Sequence, residues 1–186
     1  MRLDELARRH GTDKSVHGYC EPYERHLGHL RYEPFTLVEI GVAGGASLRM
    51  WRDYFKRAHV VGIDKNPATM FSEHRITTIC DDAAIIRPWR QFGVWPTVIV
   101  DDGGHAAEEI VGTFTWSWPL LRPGGWYAIE DLGAQFCVEF GGGEEGSVAT
   151  ELAAGMLTRT LRGGDVVEFH AYRELVMFKK ANEGVR

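Results

Sequence analysis

From Phe35 onward the chain alternates short β-rich runs with longer stretches of helical spacing, and this alternation admits little besides βαβ units carrying a mainly parallel sheet. Residues 37–40, 60–63, 76–79, 97–100 and 126–129 read as five successive strands. A helix opens near Ser47 with Leu48, Trp51, Tyr54 and Phe55 on one face. Ala107, Ile110, Val111, Phe114 and Trp118 keep the same spacing, and Pro119 and the turn Arg122-Pro123-Gly124-Gly125 then return the chain to the fifth strand. Beyond glycines 141–143, a helical stretch runs near 147–161. The runs 166–169 and 175–178 follow, joined by a link so short that only an antiparallel pair is possible. The first 30 residues hold a small amphipathic helix (Leu3, Leu6, Ala7), a polar loop His10-Gly11-Thr12-Asp13-Lys14 and a second helical pattern through Tyr23, Leu27 and Leu30.

At 186 residues one domain is the economical expectation, long enough to bury roughly 70% of the unfolded surface. Residues 1–33 are expected as an N-terminal helical cap and cofactor-loop segment, 34–132 as the cofactor- and metal-binding core, and 133–186 as the acceptor-side segment with the terminal antiparallel strands. A net charge of −5 argues against a nucleic-acid footprint, which would be basic. No apolar stretch approaches the roughly 20 residues of a membrane span, and the N-terminus carries no apolar signal core, so a cytoplasmic protein without a membrane partner is expected. Cys20, Cys80 and Cys137 are far apart with no CxxC pair, which signals neither a disulfide framework nor a zinc-thiolate site.

Three groups of residues carry chemistry. The first is Glu39-x-Gly41-x-x-Gly44-Gly45 between strand and helix, where glycines let a cofactor approach the backbone. It fits the dinucleotide fingerprint GxGxxG poorly and the acidic-then-glycine first loop of class I methyltransferases better. The second is a pair of acids at later strand ends. Asp64 lies about 20 residues past the loop, where a carboxylate accepts ribose hydroxyls, and Asp81 is placed to accept from an adenine amino group. Together they describe a nucleoside pocket without separating S-adenosylmethionine from a nicotinamide cofactor. In the third, Asp101-Asp102-Gly103-Gly104-His105 and Glu130-Asp131 close two strands with acid. Asp102, Glu130 and Asp131 offer hard oxygen ligands, favouring Mg²⁺, Mn²⁺ or Ca²⁺ over zinc. His105, close to any metal-bound hydroxyl, has the imidazole chemistry of a general base. The other reading has Asp101 and Asp131 capping the next helices and Glu130 paired with an arginine. The Thr12-Asp13-Lys14 loop with Tyr19 either closes over the methionine end of the cofactor or is a cap and turn. His10, His17, His26, His29, His59, His74 and His170 read as surface or packing residues, with His17 lying in an informative loop.

In order, His10 to Lys14 (HGTDK), Tyr19 and Tyr23, Val38 to Trp51 (VEIGVAGGASLRMW), Val61 to Asp64 (VGID), Val100 to His105 (VDDGGH) and Leu121 to Leu132 (LRPGGWYAIEDL) resemble the class I methyltransferases that act on sugar hydroxyls of natural products. The likeness extends to the metal-dependent macrolide-sugar enzymes and to rhamnosyl O-methyltransferases. It covers roughly residues 8–132, with DDGGH and IEDL its most specific part. It implies an α/β fold: a Rossmann-like, seven-stranded methyltransferase sheet, mainly parallel, with helices on both faces and the last strand antiparallel between strands five and six. It also implies S-adenosyl-L-methionine as cofactor, held by Thr12, Tyr19, Glu39, Gly41, Gly45, Ser47, Asp64, Asp81 and Asp101. Mg²⁺ or Mn²⁺ would lie on Asp102, Glu130 and Asp131, with His105 and Asp102 catalytic. The implied partner is a small glycosylated acceptor in antibiotic biosynthesis, and a homo-oligomer is compatible with it.

The sequence departs from the family in places. Its loop reads Gly44-Gly45-Ala46-Ser47, and Asp82 follows the adenine-side Asp where glutamine is usual. The segment after Leu132 is short and glycine-rich, and no counterpart of the extra N-terminal domain of the larger macrolide enzymes is expected. Acceptor recognition is built from such segments, so the resemblance bears on the cofactor more directly than on the acceptor. A catechol or phenolic acceptor chelates Mg²⁺ as a sugar diol does and stays open. A nicotinamide oxidoreductase is disfavoured by the missing GxGxxG, and a non-catalytic S-adenosyl-binding module by the intact acids and His105. Trp89, Trp95, Phe136 and Phe140 are candidates for an acceptor site or an interface.

Overall fold

The computed structural model describes residues 1–84, 95–182 and 184. Trp89 lies outside the described residues. Residues 1–81 and 82–186 form two compact units, taken in turn.

In the first unit, α1 (Leu3–His10) buries Leu3, Leu6 and Ala7 and stops at Gly11, whose φ of 75° completes a left-handed C-cap. A 3-10 turn (Asp13–Ser15) and α2 (Cys20–Leu27) follow. Then come β1 (Thr36–Ile40), α3 (Ala46–Tyr54), β2 (His59–Asp64), β3 (Ser72–Glu73) and β4 (Ile76–Cys80). The strands lie in the order β3-β4-β2-β1. β1 and β2 are parallel from Thr36↔His59 to Ile40↔Ile63, and β2 and β4 from Val60↔Ile76 to Asp64↔Cys80. That register levels the carboxyl ends of all three, so the 41–45 loop, Asp64 and Asp81 emerge along one edge. Gly62 has a packing reason within β2: a Cβ there would lie 2.6 Å from Leu48 of α3. α3 turns Leu48, Met50, Trp51 and Tyr54 inward, and Trp51 meets Tyr23 edge-on at 5.0 Å between centroids.

In the second unit, β5 (Val98–Asp101), α4 (Ala107–Ser117), β6 (Trp126–Ile129), α5 (Val148–Leu161), β7 (Val166–Ala171) and β8 (Val176–Lys180) follow in sequence. The strand order is β5-β6-β8-β7. β5 and β6 are parallel from Val98↔Trp126 to Asp101↔Ile129. β8 runs antiparallel to both β6 and β7 and lies between them, as the resemblance implies. The residues of β5 and β6 are buried throughout, as expected for strands covered on both faces. Phe114 of α4 stacks on Trp118 at 5.3 Å and meets Tyr127 of β6 at 5.2 Å.

Among the described residues there are eight strands rather than seven. The addition is β3, a two-residue strand hairpinned antiparallel onto β4, too short to carry any alternation in sequence. Among the described residues no helix is long and apolar enough to cross a membrane.

Candidate active site

The cofactor-side residues of the first unit are organised by one buried carboxylate. Glu39, near the end of β1, is fully buried and accepts from Trp51 Nε1 at 3.1 Å on Oε1 and from Ser47 Oγ at 2.7 Å on Oε2. Lys14 Nζ, also fully buried, lies 3.2 Å from the same Oε1. A charge out of water needs such a partner, and the pair fastens the 13–15 turn to the strand that feeds the glycine loop. Glu39 and Ser47, both expected on the cofactor, therefore face one another, with Glu39 offering no surface to a ligand. The sequence placed Lys14 only within the Thr12-Asp13-Lys14 loop and gave no sign of its partner, because Glu39 lies far along the chain.

Thr12 is 9% exposed at the start of that turn, without a side-chain capping bond. Tyr19 is 2% exposed, stacks on His17 at 5.4 Å and donates its backbone N–H to the Lys14 carbonyl at 3.0 Å.

The loop after β1 uses left-handed backbone at Gly41 (φ 90°), Ala43 (φ 43°) and Gly45 (φ 71°). Gly45 is doubly required, since a Cβ there would also strike the Phe71 ring. Asp64 reaches back to this loop: Oδ2 accepts the Val42 N–H at 2.9 Å and the Ala43 N–H at 3.4 Å, and Oδ1 accepts the Asn66 N–H at 2.8 Å. Burial pushes its pKa up, but the N–H groups of Asn66, Val42 and Ala43 outweigh it and hold the carboxyl below its ordinary value. Asp64 is thus an organiser of the loop. Asp81 is half-buried at the end of β4, its N–H donated to the Asp64 carbonyl at 3.1 Å.

In the second unit, the parallel register of β5 and β6 brings the 101–105 and 130–131 segments out side by side, with the Glu130 N–H on the Asp101 carbonyl at 3.0 Å. Asp101 itself turns inward. It is 4% exposed, and Oδ2 accepts from the Tyr127 hydroxyl at 3.1 Å. Strand alternation sends residues 101 and 102 to opposite sides, so Asp101, expected on the cofactor, packs against the aromatic core while Asp102 stays half-buried at the strand end.

Burial raises the Asp101 pKa from 3.8 to about 7; bonds from Tyr127 and Gly103 work against the shift, and the charges of Asp102 and Glu109 add to it. Between those two pH values the folded chain holds this proton more tightly than the unfolded chain, so stability falls as pH rises across that window. Asp101→Asn should remove the fall, leaving the variant more stable than the parent by up to a few kcal/mol at pH 8 and similar to it at pH 4. Urea unfolding in EDTA at both pH values measures it.

Glu130 is 3% exposed and Asp131 half-buried. Asp131 has a left-handed backbone (φ 55°, ψ 29°), the kind of local strain that re-aims a side chain at a functional site, and it makes no side-chain capping bond to the following 3-10 turn, Leu132–Phe136. His105 Nε2 lies 3.7 Å from Asp131 Oδ2, and the imidazole meets Phe140 edge-on at 6.1 Å. Asp102, Glu130 and Asp131 do not converge fully: no set of ligand atoms from all three lies within 4.8 Å of one another. Their chemistry fits a hard divalent cation, with three carboxylates and no thiolate among them. Reaching the roughly 2.0–2.1 Å oxygen distances of Mg²⁺ requires the side chains to rotate together.

One further residue holds this site. Gln135 is fully buried, donates from Nε2 to the His105 carbonyl at 2.6 Å and accepts from Ser147 Oγ at 2.7 Å. Ser147 is the N-cap of α5, so the His105 loop, the 3-10 turn and the helix start are joined through one amide. Gly142 admits this packing, since a Cβ there would collide with the Gln135 carbonyl. A glutamine between two glycine-bearing segments gives no periodic signal, and sequence reasoning missed it. Of the aromatic candidates, Trp95 is 45% and Phe136 55% exposed, while Phe140 sits at His105.

Comparison with known proteins agrees with this architecture. A family model described as "Methyltransferase domain" matches residues 38–132, about half the chain. The chain is 36% identical over 172 residues to 8-demethyl-8-alpha-L-rhamnosyl tetracenomycin-C 2'-O-methyltransferase of Streptomyces olivaceus, covering 87% of this chain and 45% of that protein. It is 35% identical over 153 residues to demethylmacrocin O-methyltransferase of Streptomyces fradiae, covering 75% of this chain and 38% of that one. The MycE methyltransferase of the mycinamycin biosynthetic pathway, solved in complex with Mg, SAH and mycinamycin VI, superposes with a TM-score of 0.90 at 26% identity, over 99% of this chain and 54% of that chain. The chain thus spans about half the length of these relatives or less. Its fold is the Rossmann-like methyltransferase fold, and the chain belongs to the methyltransferase-domain family.

Proposed function

We propose that this chain is an S-adenosylmethionine- and Mg²⁺-dependent O-methyltransferase acting on a hydroxyl of the sugar moiety of a glycosylated natural product. One observation carries the reading: β5 and β6 deliver Asp102 with His105, and Glu130 with Asp131, to the same end of one strand pair, with His105 and Asp131 3.7 Å apart. The names of the relatives, rhamnosyl and macrolide-sugar O-methyltransferases, support the acceptor class. The Mg and SAH in the MycE complex support the cofactors.

In this reading residues 1–186 make up one methyltransferase domain. Thr12, Tyr19, Gly41, Gly45, Asp64 and Asp81 hold the cofactor, with Lys14, Glu39 and Ser47 positioning the loops that carry them. Asp102, Glu130 and Asp131 would hold the metal. When bound, S-adenosylmethionine supplies an electrophilic methyl group and Mg²⁺ the positive charge that favours a deprotonated hydroxyl. His105 takes the hydroxyl proton at Nε2, the nitrogen on the Asp131 side, and the Asp131 carboxylate stabilises the imidazolium that results. Gln135 keeps the His105 backbone in place while this happens. Transfer of labelled methyl from S-adenosylmethionine to an O-rhamnoside, with Mg²⁺ or with EDTA, tests the reading.

A further inference from the structure

Beside Asp131 the second unit carries an open groove of about 520 Å³. One wall is the 3-10 turn after Asp131, with Leu132 and Phe136; α5 adds Ala153; the other wall is the β7–β8 turn, with Tyr172 and Val176. The groove is built rather than incidental. Its walls are locked at the base by the Leu132 N–H on the Glu174 carbonyl at 3.0 Å, and the Tyr172 N–H closes the hairpin turn on the Leu175 carbonyl at 2.8 Å. Gly133 lets the walls meet, since a Cβ there would lie 2.8 Å from Glu174. Its volume falls within the roughly 300–1,000 Å³ typical of small-molecule sites.

Two observations tie the groove to the reacting centre. Leu132 is the next residue after Asp131, and Gln135, in the same turn as Phe136, is bonded to the His105 carbonyl. Phe136, on the groove, is 55% exposed. Phe136 and Tyr172 both line the groove, and aromatic side chains favour stacking against a flat π-system.

Resting on the function proposed above, we propose that this groove binds the non-sugar part of the acceptor, a planar polycyclic aromatic aglycone, and so selects which glycosides are methylated. The test compares three rhamnosides with the parent protein: one on a tetracyclic aromatic aglycone, one on a macrolactone, and methyl rhamnoside. The aromatic glycoside should have the highest kcat/KM, and Phe136→Asp should raise its KM by about tenfold or more, the scale at which an apolar pocket discriminates. Phe136→Tyr should restore it. Phe136→Asp should leave affinity for S-adenosylhomocysteine and the midpoint of urea unfolding unchanged, which separates loss of the groove from misfolding.

An unchanged KM in Phe136→Asp, or preference for the macrolactone or equal use of all three, overturns the proposal. If no rhamnoside is methylated, the proposed function fails and the groove is tested alone by fluorescence titration with the free tetracyclic aglycone. Saturable binding lost in Phe136→Asp upholds an aromatic-ligand site, and absent binding overturns it.

Discussion

His105→Ala should lower turnover by about 10²-fold or more, the usual cost of removing a general base, while leaving affinity for S-adenosylhomocysteine intact. The structure makes this a clean experiment. The imidazole is 36% exposed, so its loss opens no cavity in a packed core. The contact that holds the loop uses the His105 backbone carbonyl, which alanine retains for Gln135. A drop in kcat with unchanged cofactor affinity is therefore chemical in origin. Near-normal turnover of the variant would contradict the role given to His105.

Lys14→Met should destabilise the fold by about 3–5 kcal/mol, because it strands the Glu39 carboxylate in the core without its cation. Lys14 and Glu39 are both fully buried, so water cannot replace the lost partner. Trp51 and Ser47 still donate to Glu39, but neither carries charge. Lys14→Met combined with Glu39→Gln removes the uncompensated charge and should recover most of the loss. Urea unfolding of the parent and the single and double variants measures both effects. A loss below about 1 kcal/mol in the single variant would mean that water reaches the pair.

Much of the architecture was legible because it rests on local patterns. The apolar runs at 37–40, 60–63, 76–79, 97–100 and 126–129 coincide with β1, β2, β4, β5 and β6. The short link between the last two runs forced the antiparallel β7–β8 pair. The glycine loop and Asp64 were legible as a group because positive φ demands glycine and a strand-end acid lies next to it. What sequence concealed depends on contacts between distant segments. Lys14 finds Glu39 across 25 residues, and Gln135 finds the His105 carbonyl across 30. Neither pairing has a period. The sequence assigned Asp101 to the cofactor and Asp102 to the metal without showing which way either points, whereas alternation along β5 buries the first beside Tyr127 and leaves the second at the strand end. Phe136 and Phe140 were grouped together as candidates for an acceptor site or an interface. The fold separates them, placing Phe140 at His105 and Phe136 on the groove.

The central claim, metal-assisted methyl transfer to a sugar hydroxyl, is tested most directly by incubating the protein with methyl-labelled S-adenosylmethionine and the aromatic rhamnoside, once with Mg²⁺ and once with EDTA. The account predicts a singly O-methylated sugar with Mg²⁺, its loss in EDTA, and its return when Mg²⁺ is restored. Full transfer in EDTA would contradict the role of Asp102, Glu130 and Asp131, and label arriving on the aglycone would contradict the sugar as acceptor.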